Sequence, residues 1–268
     1  MKMSNNSGKI FLYPETEFEK NILLSKYTQS KLAYLYSNKY IDEFTILIDK
    51  KNSCLNLENN MAFINSDLSE LQIVYLLRVI IDAYSIYKGL LPLHSAMIES
   101  NKCNVFIFGD TKCGKSLISN DIGVNNKGLS LIGDDHIIIS KEYILGNSVS
   151  RLRNCDNEEI YKFNKRISEY NKYFIFDIDI RKNKDNLIKI NPIKYKSIDL
   201  TYALKYINCD FCTRIENIFM NDFVGLSIKK KYINYFEKFI DNAISIFKIE
   251  GSKEYIISNI NRIIELNK

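Results

Sequence analysis

The chain has no tryptophan, two histidines, three prolines and ten glycines in 268 residues. Each shortage closes off a class of function. His94 and His136 both lie far from the single Cys-x-x-Cys pair, Cys209 and Cys212, so a zinc site built from paired cysteines and histidines lacks its donor set. That pair reads more simply as two core residues on a helix. The six cysteines (Cys54, Cys103, Cys113, Cys155, Cys209 and Cys212) are scattered, and no apolar leader follows the polar start MKMSNNSGK. Reduced thiols in a cytoplasm are the expectation. Blocks of like charge are missing too: 37 basic residues are spread against 32 acidic ones for a net charge of +5. Nucleic acid is therefore not an expected partner. The most apolar stretch, residues 71–87, carries Arg78 and Asp82. Each would cost about 2.5–3.5 kcal/mol at a bilayer centre, so no membrane partner is expected.

What is present points to a packed α/β protein. The apolar fraction of 46% supports a real core. Residues 9–13 suit a strand and 17–36 a helix. Residues 44–48 and 54–57 flank a polar turn and predict a β-hairpin, with 62–64 as a short third strand. A helix is expected over 68–88, opened by a capping box on Asp67-Leu-Ser-Glu70 and stopped at Gly89. Strands follow at 96–99, 105–108, 129–132 and 137–139, with a helix at 114–122 between the second and third. Residues 173–180 alternate as a strand that places Asp177 and Asp179 on one face, either a carboxylate pair or, as the cheaper explanation, an exposed strand face. Helices are expected at 199–208, 232–249 and 253–266. We read one α/β domain, with a β-rich N-terminal lobe (1–66), a core (67–215) and a C-terminal helical region (216–268).

In so glycine-poor a chain, two glycines five apart are informative. Gly109-Asp110-Thr111-Lys112-Cys113-Gly114-Lys115-Ser116 fits the G-x-x-x-x-G-K-[ST] pattern of a phosphate-binding loop between a strand and a helix. The spacing follows from chemistry. Backbone N–H groups must curl around an anion where a side chain at either glycine would obstruct them. The helix start adds its dipole, Lys115 reaches the outer phosphates, and the Ser116 hydroxyl is a ligand for Mg²⁺. A second element is Leu131-Ile-Gly-Asp134-Asp135, an apolar strand ending in two carboxylates. Such a pair suits one metal ligand and one base, or else is a solvated turn. The third is Leu93-His94-Ser95, just before the strand that leads to the loop.

Taken in this order, residues 93–98, 106–116 and 131–135 resemble the catalytic core of the HPr kinase family, bacterial serine kinases whose phosphate loop sits in a phosphoenolpyruvate-carboxykinase-like mixed sheet. The resemblance covers roughly residues 91–139 and includes the aspartate directly after the first loop glycine, Asp110. It implies ATP and Mg²⁺ as cofactors and phosphoryl transfer to a hydroxyl, with a serine of a protein or peptide as acceptor. It further implies that His94 arranges the reaction centre, that Lys115 and Ser116 hold phosphates and metal, that Asp134 is the base, and that Asp135 supports the metal. A downstream arginine at the transferring group is implied as well; Arg151, Arg153 and Arg214 are the candidates, with Arg153 taken as the representative. The family's tendency to assemble implies a homo-oligomer. The glutamate-containing, glycine-rich signature of the bifunctional enzymes is not found, so a stand-alone kinase fits better than one that also runs the reverse reaction. A small-molecule kinase and a nucleotide-binding switch or ATPase without acceptor remain the alternatives.

Overall fold

The computed structural model describes residues 2–5, 8–13, 43–49, 53–101, 103–110, 112–125, 128–146, 149–153, 158–162, 167–169, 172–192 and 224–267. The expected helices at 17–36 and 199–208, the Cys209/Cys212 pair and Arg214 lie outside these residues. The described part is a mixed α/β structure. It divides into two units, Met1–Pro92 with Leu200–Tyr235, and Leu93–Asp199 with Phe236–Lys268.

The first unit contains a five-stranded sheet of β1 (Lys2–Asn5), β2 (Gly8–Tyr13), β3 (Glu43–Asp49), β4 (Cys54–Asn56) and β5 (Met61–Asn65), in the order β1-β2-β3-β5-β4. The expected hairpin of residues 44–48 with 54–57 is not formed. Instead β5 inserts between the two, parallel to β3 and antiparallel to β4. Burial explains the choice: β5 places Ala62 and Ile64, both fully buried, beside buried Phe44 and Ile46 of β3, whereas Cys54 is exposed and suits an edge. Helix α1 (Glu70–Tyr87) follows. Its N-cap is Ser69, not Asp67: the Ser69 hydroxyl accepts the Gln72 N–H, and Gln72 Oε1 accepts the Ser69 N–H at 2.9 Å. Ile73, Leu76, Leu77, Ile80 and Tyr84 recur at helical spacing and are fully buried. The Tyr84 ring meets Phe44, with centroids 4.4 Å apart. Gly89 ends the helix at φ +84°, a conformation glycine takes without strain. No described helix is long and apolar enough to cross a membrane. The short strand β6 (Leu91–Leu93) leads onward.

The second unit is built on a six-stranded sheet. Its strands are β7 (Ala96–Ser100), β8 (Asn104–Phe108), β9 (Leu129–Gly133), β15 (Tyr173–Asp179), β16 (Asn186–Ile190) and β17 (Ser245–Glu250), in the order β16-β17-β15-β8-β7-β9. Between them in the chain lie β10 (Ile137–Ile139), β11 (Tyr143–Gly146) and β14 (Ile167–Glu169), joined as antiparallel neighbours, and the antiparallel pair β12 (Val149–Arg153) and β13 (Glu158–Lys162). Strands β8, β15 and β17 are parallel; β7 is antiparallel to both β8 and β9. One sheet face is covered by α2 (Lys115–Asn125) and α4 (Lys253–Leu266). Val105, Ile107, Phe174 and Phe176 pack there against Ile118, Ile122, Ile256 and Ile260. Each such side chain contributes about 1.5–3 kcal/mol of burial. On the other face, Phe106 and Tyr173 pack with Phe239 of α3 (Leu226–Asp241), the Tyr173 and Phe239 rings stacked at 4.8 Å.

The expected helix over 232–249 is corrected here. Helix α3 ends at Asp241, and Ser245–Glu250 is strand β17, inserted between β15 and β16. Ile246 and Ile249 lie fully buried in the sheet. Pairing on both sides outweighs the weak helical spacing of that segment.

Candidate functional site

Strand direction decides what meets at the edge of the second unit's sheet. β8, β15 and β17 run the same way; β9 joins them, because β7 is antiparallel to both of its neighbours. Their carboxyl ends and the start of β7 therefore share one edge. Along it, in sheet order, lie Glu250, the Asp177–Arg181 segment, the Gly109–Ser116 loop, His94–Ser95 and Asp134–Asp135. Residues spread over more than 150 positions are collected in one row. Open α/β sheets bind their ligands at such carboxyl edges.

The loop itself is tightly specified. Gly109 (φ +142°) and Gly114 (φ +98°) adopt backbone angles that other residues rarely take. A Cβ at Gly109 would strike the Ile178 carbonyl and come within 2.5 Å of Cys113 Sγ; one at Gly114 would lie 2.7 Å from Ile180 Cδ1. The loop closes through the Cys113 N–H to the Asp110 carbonyl (3.2 Å), and helix α2 begins with the Ile118 N–H on the Gly114 carbonyl (2.9 Å). Lys115 is buried, and its ammonium donates to the carbonyls of Gly109 (2.8 Å) and Asp110 (3.1 Å). Its charge is thus centred on the loop. Ser116 stands half-buried in the first turn of α2, Asp110 and Lys112 are exposed, and Thr111 lies outside the described residues. Cys113 points into the core beside α2, where burial pushes its thiol up. Only its backbone can serve an anion.

On one side of the loop, the β7–β9 pairing brings two sequence-predicted residues together. His94 Nδ1 lies 3.2 Å from Asp135 Oδ1. Asp135 sits at φ +77°, a turn conformation that aspartate tolerates better than most residues. This turn separates the two carboxylates: Asp135 is half-buried against His94, while Asp134 is only 2% exposed. Ser95 is fully buried, and its hydroxyl finds no hydrogen-bond partner among the described residues.

The other side of the loop holds groups the sequence reading left aside. Asp177 and Asp179 were expected on an exposed face; both are half-buried. Asp177 is in register with Phe108 of β8 and Lys248 of β17. Burial raises its carboxyl to about 6, against the opposing pull of Lys248. Asp179 is held below the usual carboxylate range by hydrogen bonds from Arg181, whose Nε and Nη2 reach its two oxygens at 2.8 and 2.9 Å. Arg181 Nη2 also lies 3.9 Å from Asp110 Oδ2 in the loop. Lys248 pairs with Glu250 at 2.9 Å. The signal for this half was present in the alternation of residues 173–180, but not in any motif.

Arg151 and Arg153 are on β12, opposite Ile160 and Glu158 of β13, in a ladder separate from the six-stranded sheet. Among the described residues no cluster of three or more histidine, cysteine, aspartate or glutamate side chains forms a ready-made metal cage. The donor set along the edge, a serine hydroxyl and carboxylates, is the hard-oxygen chemistry that suits Mg²⁺ held chiefly by phosphates and water.

No protein-family model matches the chain, and no curated protein matches it. Among solved structures it is similar to the Hpr(Ser) kinase/phosphatase from Coxiella burnetii. The identity is 13% and the TM-score 0.33, with 66% of this chain and 95% of that chain covered.

Proposed function

We propose that this chain is an ATP-dependent phosphotransferase that moves the γ-phosphoryl group to a hydroxyl, with a serine of a protein or peptide as the acceptor. The observation that carries the reading is the edge itself: a glycine-bounded loop centred on Lys115, flanked by a histidine–carboxylate pair from the bends before β7 and after β9. Loop amides and Lys115 bind the phosphates and orient the terminal one. Ser116 and Asp135 would hold Mg²⁺, which when bound neutralises charge between the outer phosphates. Asp134 takes the acceptor's hydroxyl proton; that oxygen bonds to the γ-phosphorus as the β–γ bridging bond breaks, and ADP leaves. His94 keeps Asp135 oriented through the 3.2 Å contact. General-base help of this kind contributes about 10²–10⁴-fold, or roughly 3–5 kcal/mol of barrier.

Calorimetry with Mg-ATP, followed by labelled-phosphate transfer to a serine peptide library, tests the proposal. Binding by the wild type, its loss in Lys115→Ala, and binding without transfer in Asp134→Asn are expected. A wild-type protein that takes up no Mg-nucleotide ends the reading. Transfer by Asp134→Asn at the wild-type rate removes the base assignment alone.

A further inference from the structure

We infer that Arg181 is a phosphate-contacting residue of the Gly109–Ser116 loop, a role that rests on the nucleotide-binding reading above. Four contacts fix the turn that carries it to the loop. The Ile180 N–H donates to the Cys113 carbonyl at 3.0 Å. The Ile178 carbonyl lies under Gly109, the Ile180 side chain lies over Gly114, and Arg181 Nη2 is 3.9 Å from Asp110 Oδ2. Loop and turn therefore form one surface.

The electrostatics of that surface call for a further cation held in a fixed position. A polyphosphate is strongly anionic, yet the loop carries Asp110, and the same edge carries Asp134, Asp135, Asp177, Asp179 and Glu250. Against them the loop itself sets buried Lys115 and exposed Lys112, and Lys248 is drawn to Glu250 at 2.9 Å. Arg181 is the guanidinium adjoining the loop, with its side chain 47% exposed. Asp179 grips it along the Nε–Nη2 edge, and the Arg181 N–H adds a bond to Asp179 Oδ1 at 3.0 Å. This hold fixes the plane of the fork, and its Nη1 side is directed away from Asp179. An incoming phosphate competes with Asp110 for the guanidinium at short range, while Asp179 keeps the side chain in place. Prior orientation of this sort lowers the ordering cost of each new hydrogen bond.

The test measures the Mg-ATP dissociation constant by calorimetry for wild type, Arg181→Ala, Arg181→Lys, and the double variant Arg181→Ala with Asp110→Asn, each checked for folding by thermal melting. Arg181→Ala is expected to weaken binding about 10–100-fold, in the range of lost hydrogen bonds to a charged group. Arg181→Lys should fall between the two, because it keeps the charge and loses the fork. The double variant separates phosphate contact from simple compensation of Asp110: it stays weak if Arg181 touches phosphate and returns to wild-type affinity if Arg181 only offsets Asp110. That return, or unchanged affinity in Arg181→Ala beside normal wild-type uptake, overturns the assignment. No uptake by the wild type removes the nucleotide reading and the role of Arg181 together.

Discussion

Replacing Asp177 with asparagine should make the protein more stable at pH 8, and the gain should fall to less than half in acid. In the folded chain this carboxyl titrates at about 6; in an unfolded chain it titrates at about 3.9. The difference is about 2 pH units at 1.36 kcal/mol each, an upper bound of about 2–3 kcal/mol. The sign follows from which state holds the proton. Because the folded value is raised, the folded state binds the proton more tightly, so acid favours folding through this group. Its stabilisation is fully present below about pH 4 and is lost as pH rises through 6. Above that, the folded protein carries an ionised carboxylate in a half-buried site, with Lys248 as partial compensation. Asparagine removes the ionisation cost. For a chain of this size 1 kcal/mol corresponds to about 2–4 °C, so the variant should melt about 5–10 °C higher at pH 8. Thermal melts followed by circular dichroism at pH 8 and pH 4.5 provide the measurement. Asp179 and Glu250 are both held low and lose stability as pH falls; they are common to both proteins, so the difference isolates Asp177 together with its repulsion from these two carboxylates. A gap of equal size at the two pH values, or a variant less stable than wild type at pH 8, refutes this account of Asp177.

Other consequences can be checked more quickly. Gly109→Ala should destabilise the protein by about 1–3 kcal/mol and abolish Mg-ATP binding, since its backbone angle and the Ile178 carbonyl both oppose a side chain; denaturant melts and calorimetry would read the two effects. Tyr173→Phe removes a buried hydroxyl bonded to the Phe239 carbonyl. A loss of about 1–3 kcal/mol in denaturant midpoint is expected, because that carbonyl is left buried.

The parts of the fold that were legible in the sequence are those whose signal is local. Helix α1 announced itself through its apolar spacing and its stop at Gly89, and the strand–loop–helix at residues 104–125 through two glycines and a lysine. The N-cap slipped by two residues because serine and aspartate compete for the same hydrogen bond, and only the folded chain shows that Gln72 returns the bond to Ser69. Nonlocal pairing was not legible. Nothing in residues 44–64 says that β5 will divide the expected hairpin, and Ser245–Glu250 reads as strand only once β15 and β16 are available on either side. The site divides in the same way. His94, Asp134, Asp135 and the loop came from motif order, and the His94–Asp135 contact followed. Asp177, Asp179 and Arg181 belong to no motif; alternation put the two aspartates on one face, and strand direction sets all three beside the loop.

The position of β17 has a bearing on how the protein is made. It is the last strand among the described residues, yet it bridges β15 to β16, and β16 has its ladder to β17 alone among the strands of this sheet. While a ribosome is still synthesising residues before 245, the loop can already exist, but Asp177 has no Lys248 beside it and β16 has nothing to pair with. One flank of the candidate site is therefore completed only once residues 245–250 have been made, and a nascent chain halted before that point would carry the glycine loop without its finished surroundings.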